Sequence, residues 1–208
     1  MRQMNDIRIR AVTPEDAPAL LEIYAPYVTD TAISFEYEAP SEDEFRRRIS
    51  ATLLKYPYLA AERDGEIIGY ACTHPFVGRA AYGWMAETTI YVRRGRTGTG
   101  AGRALYRALE AVSEAQNIYG LAACIGFCER EDERLSQNSV RFHAHMGYRT
   151  VGRFEKCGYK FGKWYDMVWM EKRLGALPAA PPEVVPFPAL DAETLGRCGI
   201  IYAGEERK

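Results

Sequence analysis

Residues 89–110 read TIYVRRGRTGTGAGRALYRALE: an extended apolar run, a glycine-rich turn and an amphipathic helix in direct succession. Thr88, Thr89, Ile90, Tyr91 and Val92 are β-branched or aromatic and favour a strand that begins near Trp84. Ala101, Ala104, Leu105, Ala108, Leu109, Val112 and Ala115 recur at helical spacing and predict a helix over 101–116 with one buried face. Between them, Gly98, Gly100 and Gly102 let successive backbone N–H groups converge where the helix opens, and the positive end of the helix dipole there suits a phosphate or pyrophosphate. Arg93, Arg94, Arg96 and Arg103 flank the turn and could meet further phosphates. A dinucleotide-binding βαβ unit would place such a turn after the first strand, whereas here several strands precede it, and no Gly-Lys-Ser/Thr follows the glycines as a P-loop requires.

Outward from this unit, strands and helices alternate in both directions. Ile7–Val12 alternates apolar and polar residues, as a half-buried first strand does. Thr13, Pro14 and Asp16 carry a capping-box start for a helix whose stripe is Leu20, Leu21, Ile23, Tyr24, Tyr27 and Val28. Ser41 with Glu44 announces a second helix, buried through Phe45, Ile49 and Leu53, with Arg46, Arg47 and Arg48 on its solvated face. Asp64-Gly65 joins YLAAER to EIIGYACTHPF as a β-hairpin. After the central helix, 121–127 reads as a buried strand, 136–145 as a short helix ended by Gly147, and 148–154 and 164–170 as closing strands. LGALPAAPPEVVPFP (174–188) is too rich in proline for regular structure and reads as an extended linker, so residues 1–174 form the domain and 175–208 a Pro-rich extension. Leu190, Leu195, Ile200, Ile201 and Tyr202 could dock that extension on the body or on a second chain.

With 208 residues, 27 Lys+Arg against 28 Asp+Glu and 47% hydrophobic content, the chain can build one core, and it lacks the bulk positive potential of a nucleic-acid or membrane-surface binder. No apolar run reaches the roughly 18 to 20 residues of a spanning helix, and the first residues have no secretory pattern, so a cytoplasmic enzyme is expected. Five scattered cysteines without a CxxC pair fit buried, reduced, inert thiols. His143 and His145 diverge on a helix and no acid or cysteine completes a ligand set, so no metal is expected. The acidic run 129–133 reads as solvated.

A strand ending apolar-x-Val and a Gly-x-Gly turn opening a helix resemble the acetyl-CoA pyrophosphate motif of the GNAT N-acetyltransferases. PFVGRAAYGWMAETTIYV (75–92), SVRFHAHMGY (139–148) and GYKFGKWYD (158–166) extend the resemblance to the phosphinothricin acetyltransferase branch, over about residues 7 to 173. The resemblance implies an α+β, mixed α/β fold: a strongly twisted, mostly antiparallel central sheet flanked by helices, with two central strands splayed to admit the cofactor. It implies that backbone groups of Ile90, Tyr91 and Val92 pair with the pantetheine arm and that Gly98, Thr99, Gly100, Ala101, Gly102 and Arg103 hold the pyrophosphate. The Arg/Gln that usually begins the phosphate turn is Thr97 here, the 128–138 loop is longer than in such relatives, and the resemblance leaves the cofactor-contacting asparagine either missing or supplied by Asn138.

Acetyl transfer needs a neutral amine, and an alkyl ammonium with a pKa of about 10 must first lose a proton to a base. By the resemblance Glu87 is that base, and His143, where many relatives carry a tyrosine, is a second base or the acid for the departing thiolate, its imidazole titrating at about 6.5. The same resemblance implies an acceptor pocket lined by Phe35, Arg79, Tyr82 and Tyr159, with Arg79 placed for a substrate carboxylate or phosphinate. Val77 stands where phosphinothricin-detoxifying relatives have a lysine. The resulting expectation is an acetyl-CoA-dependent N-acetyltransferase acting on the primary amine of a small amino acid or analogue, of the phosphinothricin or methionine sulfone/sulfoximine type, by direct attack in a ternary complex and as a homodimer. The alternatives are a protein N-terminal or lysine acetyltransferase and a non-catalytic acyl-CoA-binding sensor.

Overall fold

The computed structural model describes residues 7–201. Its strands are β1 (Arg8–Ala11), β2 (Tyr58–Arg63), β3 (Glu66–Pro75), β4 (Met85–Val92), β5 (Gly120–Phe127), β6 (Arg149–Lys160), β7 (Lys163–Arg173) and β8 (Ile200–Ile201). Its helices are α1 (Ala17–Asp30), α2 (Glu42–Leu53), α3 (Ala101–Ala115), α4 (Asn138–His145) and α5 (Ala192–Arg197). All eight strands form one open mixed sheet in the order β6-β7-β5-β4-β3-β2-β1-β8. β1 to β4 pair antiparallel, as do β5 with β7 and β6 with β7, while β4–β5 and β1–β8 are parallel.

The local signals act as expected. The Thr13 N–H donates to Asp16 Oδ2 (2.8 Å), although Pro14–Asp16 forms a 3-10 turn before α1 proper. Ser41 Oγ accepts from the Glu44 N–H, and Arg46, Arg47 and Arg48 are engaged by Glu42, Asp43, Glu44 and Glu36 along the exposed face of α2. Asp64 and Gly65 both have positive φ (55° and 80°), the mirror-image turn whose twist suits a two-residue hairpin.

Two layers of helices sandwich this sheet. Leu105, Ala108, Leu109 and Val112 of α3 pack on Ile9, Leu59, Ala61, Ile68 and Ala71, while Leu20, Ile23, Tyr24 and Val28 of α1 and Phe45 and Ile49 of α2 pack on Tyr58, Tyr70 and Cys72 of the opposite face. A third cluster joins Leu121, Ala123, Ile125, Val168 and Met170 to Tyr106 and Tyr148.

Three features differ from the sequence expectations. The closing strands are longer than 148–154 and 164–170, and meet at a tight turn of Phe161 and Gly162 (φ 52° and 74°). Register shifts at Thr150/Gly152 and Phe154/Gly158, with Lys156 at φ 49°, break the alternation by which the extra length could be read. The proline-rich segment lacks regular structure but is a docked strap: the Trp84 indole N–H donates to the Pro182 carbonyl (2.7 Å), Asn117 Nδ2 to Glu183 O, and Gln116 Nε2 to both Val185 O and Lys55 O. Beyond it Phe187, Leu195 and Ile200 are buried in the α3-side core, and β8 extends the sheet beside β1. Of the docking residues expected there, Tyr202 lies outside the described residues. Finally, the acidic run is not merely solvated: Asp132 accepts from the N–H groups of Arg134 and Leu135 and pairs with Lys163, Glu131 accepts from Gln137 N, and Glu129 pairs with Arg153. These bonds fold the 128–137 loop back on itself.

Candidate active site

The parallel pairing of β4 with β5 spans only Met85–Glu87 against Gly120–Ala122, after which the two strands part. The cleft between them is open to solvent and is lined by Glu87 to Tyr91 of β4, Ala123 to Gly126 of β5, Ile33, Leu135, and Ser139 and His143 of α4. Beyond residue 87 the free edge of β4 offers its amide groups to whatever enters, since β5 no longer takes them. One of the expected pairing groups, the Val92 carbonyl, already accepts from the Tyr27 hydroxyl and keeps a second lone pair.

At the β4 end of the cleft, Gly98 and Gly100 turn the chain with φ of 76° and 93° into the first turn of α3. The N–H groups of Ala101, Gly102 and Arg103 are there free of intrahelical acceptors. A Cβ on Gly102 would stand 3.2 Å from the Phe142 ring and 3.7 Å from Ile90 Cδ1, so any larger residue there would press on the Phe142 ring and push the helix start away from α4. The turn, the free donors and the parted strands together fit an elongated phosphorylated ligand carrying an amide-bearing arm. Thr97 is exposed, Thr99 Oγ1 donates to Arg96 O, and Arg103 donates to His145 Nε2 (2.6 Å). Asn138 is exposed, its Oδ1 accepts from Arg141, and it lies outside the cleft lining, to which the next residue, Ser139, belongs.

Glu87 is half-buried, with no ion pair or hydrogen bond to its carboxylate among the described residues, and burial raises its pKa. The arginine partner that would mark a structural glutamate is absent from its surroundings among these residues. A carboxylate so placed is a stronger base than a solvated one.

His143 faces the same cleft from α4, but its environment differs from the expected imidazole titrating at about 6.5. It is 3% exposed. Nδ1 donates to the Ser139 carbonyl (2.7 Å), which leaves Nε2 to accept from the Tyr106 hydroxyl (2.6 Å). Tyr106, itself wholly buried, stands 3.1 Å from Thr88 Oγ1, which donates to Ala122 O (3.0 Å) and so ties α4 and α3 to both splayed strands. Burial lowers His143 to about 4, so the ring is neutral at physiological pH with both nitrogens engaged.

This has a consequence for stability. With the folded value at about 4 and the unfolded value at about 6.5, the neutral ring favours the fold fully above pH 6.5, and that contribution is lost as pH falls toward 4. The difference corresponds to about 3 kcal/mol. In urea titrations at pH 6.5 and 4.5, wild type should lose more stability than His143→Gln; equal losses would show that His143 does not titrate this way.

The four expected pocket residues take different places. Phe35 lies over Gly158, whose Cβ would come 2.3 Å from its ring, and within 3.7 Å of the Cβ position of Gly126 on the cleft wall. Tyr82 packs edge-on against Phe76, and Phe76 against Trp169, the cross-strand neighbour of Cys124. Arg79 opens the exposed 3-10 turn of residues 80–82. Tyr159 packs on Trp164 at the hairpin surface, and its carbonyl accepts from the Tyr37 hydroxyl, outside the cleft lining.

Sequence reasoning passed over Tyr106, and it took Cys124, with the other cysteines, for a buried inert thiol. Cys124 and Cys157 are exposed, unlike Cys72 and Cys128. Alternation along β5 held the signal: Leu121, Ala123 and Ile125 point into the α3-side core, so Cys124 and Gly126 must face the other way. Although the residue is exposed as a whole, desolvation of its thiol, with the nearby Glu87, pushes Cys124 up to about 12. Among the described residues no three His, Cys, Asp or Glu side chains converge on a metal site, and no helix is long and apolar enough to cross a membrane.

Comparison with known proteins accords with this geometry. Residues 9–169 match the family described as acetyltransferase (GNAT) domain. The chain is 35% identical over 176 residues to a phosphinothricin N-acetyltransferase of Alcaligenes faecalis, covering 84% of this chain and 86% of that one. It is 30% identical over 179 residues to an L-methionine sulfoximine/L-methionine sulfone acetyltransferase of Pseudomonas aeruginosa, covering 83% and 98%. Among solved structures, a GNAT superfamily phosphinothricin acetyltransferase from Sinorhizobium meliloti in complex with acetyl-CoA superposes with a TM-score of 0.78 at 29% identity, covering 88% of this chain and 96% of that one.

Proposed function

Because the chain belongs to the GNAT acetyltransferase family, we propose that the cleft between β4 and β5 is where its acetyl transfer takes place, with Glu87 as the base. The protein is an acetyl-CoA-dependent N-acetyltransferase of small amino acids and their analogues. The observation that carries the site is Glu87: an unpaired, half-buried carboxylate at the last paired position before the strands part.

Bound acetyl-CoA supplies an acetyl thioester open to direct attack by a neutral amine. Gly98 to Arg103 hold its diphosphate through first-turn N–H groups, and the open edge of Ile90 to Val92 pairs with its pantetheine amides. Glu87 takes the proton of the acceptor ammonium, directly or through one water, and its burial brings its proton affinity closer to the amine's. Arg79 holds the acceptor carboxylate. His143, neutral and locked between Ser139 O and Tyr106, acts on the cleft as a positioning residue, keeping α4 at a fixed distance from β4. Cys124, with its thiol protonated at neutral pH, is a poor nucleophile, which favours direct transfer over an acyl-enzyme.

The acceptor is proposed to be of the phosphinothricin and methionine sulfone/sulfoximine type, and the setting to be cytoplasmic. A homodimer is proposed as well, supported by the exposed apolar side chains Val151, Phe154, Tyr159 and Trp164 on the β6–β7 hairpin; light scattering at dimer mass is expected, and a monomer at micromolar concentration refutes it. Thiol release from acetyl-CoA against phosphinothricin, methionine sulfone, methionine sulfoximine, polyamines and a short peptide tests the activity. Turnover on amino-acid analogues is expected; turnover on the peptide alone would make the protein a protein acetyltransferase, and tight acetyl-CoA binding without turnover a sensor.

A further inference from the structure

The open face of the sheet beside Glu87 is apolar in a way the reading above does not use. Cross-strand register sets Glu87 in a row with Ala122 and Glu171; the next row holds Cys124 and Trp169, and the next Gly126, Met167 and Phe154. Cys124 Sγ lies 2.8 Å from Met167 Sδ. Phe76 packs on Trp169 with ring centroids 5.6 Å apart and Tyr82 on Phe76 at 6.2 Å, while Phe35 closes the other end over Gly126. Phe76, Tyr82, Met167 and Trp169 belong to none of the buried core clusters. Contiguous half-exposed aromatic and sulfur groups next to a catalytic carboxylate form a surface that a ligand covers.

The charges nearby are accounted for. Arg149 is bound to Glu171, and Arg153 to Asp166 and Glu129. Arg79, which has no carboxylate partner among the described residues, is the group available for an amino acid's carboxylate. A second anion on the acceptor side chain would rest on a thiol, a thioether and indole and phenyl faces, with no cation in that floor to offset its lost hydration.

Resting on the reading of this cleft as the acceptor site, we infer that Cys124, Met167, Trp169 and Phe76 form the side-chain subsite, and that among small amino acids and their analogues it prefers those with an uncharged, apolar side chain over acidic ones. Methionine, leucine and phenylalanine fit that chemistry better than phosphinothricin, whose phosphinate gives up hydration there without a cation to replace it.

The test is kcat/KM for methionine, leucine, phenylalanine and phosphinothricin, by thiol release and product mass, in wild type, Met167→Lys and Trp169→Ala. Wild type should prefer the apolar amino acids over phosphinothricin by about tenfold or more. Met167→Lys, which sets a cation in the floor, should shift that ratio toward phosphinothricin. Trp169→Ala should lower kcat/KM for methionine about tenfold with KM for acetyl-CoA unchanged. Phosphinothricin as the best wild-type substrate, or a ratio that neither variant moves, overturns the inference and leaves the amino-acid acetyltransferase reading standing. Failure to acetylate any amino acid, by protein that still binds acetyl-CoA, overturns both.

Discussion

Glu87→Gln should lower kcat/KM for the acceptor amine by about 10² to 10⁴-fold, the range over which a positioned general base acts, while leaving acetyl-CoA affinity within about twofold. Glutamine keeps the shape of the side chain and removes only its ability to take a proton. The wild-type profile should carry an acid limb, rising as Glu87 ionises above its ordinary carboxylate range, and the variant should lack it. Stability separates this loss from unfolding. Glu87 is half-buried without a counter-charge, so its folded pKa lies above its unfolded value, and the stability this brings in acid is lost as pH rises through the folded pKa. At pH 7 the charged group therefore disfavours the fold, and Glu87→Gln should melt no lower than wild type. A fully active variant would remove Glu87 from the chemistry, and an inactive one that melts lower would leave its activity loss attributable to damage. An active-site group that costs stability is what a site tuned for proton transfer produces.

How much of this was readable before any coordinates depends on the range of the interactions involved. Local signals were sufficient for Ser41 and Asp64-Gly65, and for the strand, turn and helix of 89–110, because each acts within one turn of chain. Glu87 was singled out by motif, and the structure sets it at the last paired position before the two strands part. What could not be read was set by partners far away in sequence. The Tyr106 hydroxyl meets His143 across 37 positions, and burial there lowers the ring's proton affinity below that of the imidazole the sequence led us to expect. The strap of 182–187 looked like a linker because proline forbids helix and strand there, yet its carbonyls are satisfied by Trp84, Asn117 and Gln116, about 70 to 100 residues earlier in the chain. Composition registers the lack of regular structure and carries no information about such docking.

Lys160 is the sharpest case of a residue whose role only the tertiary structure reveals, and its replacement should have the largest effect on stability. It ends β6 beside the Phe161-Gly162 turn, where a lysine reads as a solvated hairpin residue, but it is 3% exposed. Its ammonium donates to three carbonyls at the end of α1 and the turn that follows: Val28 O (2.7 Å), Thr31 O (3.0 Å) and Ser34 O (2.6 Å). These carbonyls come from a segment that leaves its helix and bends toward the cleft, where Ile33 forms part of the wall. Burial lowers the lysine's pKa, an unfavourable contribution that the three bonds offset. Lys160→Met keeps most of the stem's packing and orphans the carbonyls, at a cost of about 4 kcal/mol for buried acceptors left unsatisfied. For a chain of this size that corresponds to a fall in Tm of about 8 to 16 °C, measurable by calorimetry. Lys160→Arg should not restore it, because a planar guanidinium cannot point its donors at three carbonyls arranged around one nitrogen. A Lys160→Met variant melting within about 2 °C of wild type would show that the corner holds without the ammonium. Because the same corner carries Ile33, the destabilised variant should also bind acetyl-CoA more weakly at temperatures well below its Tm, linking a buried charge at the end of α1 to the width of the cleft between β4 and β5.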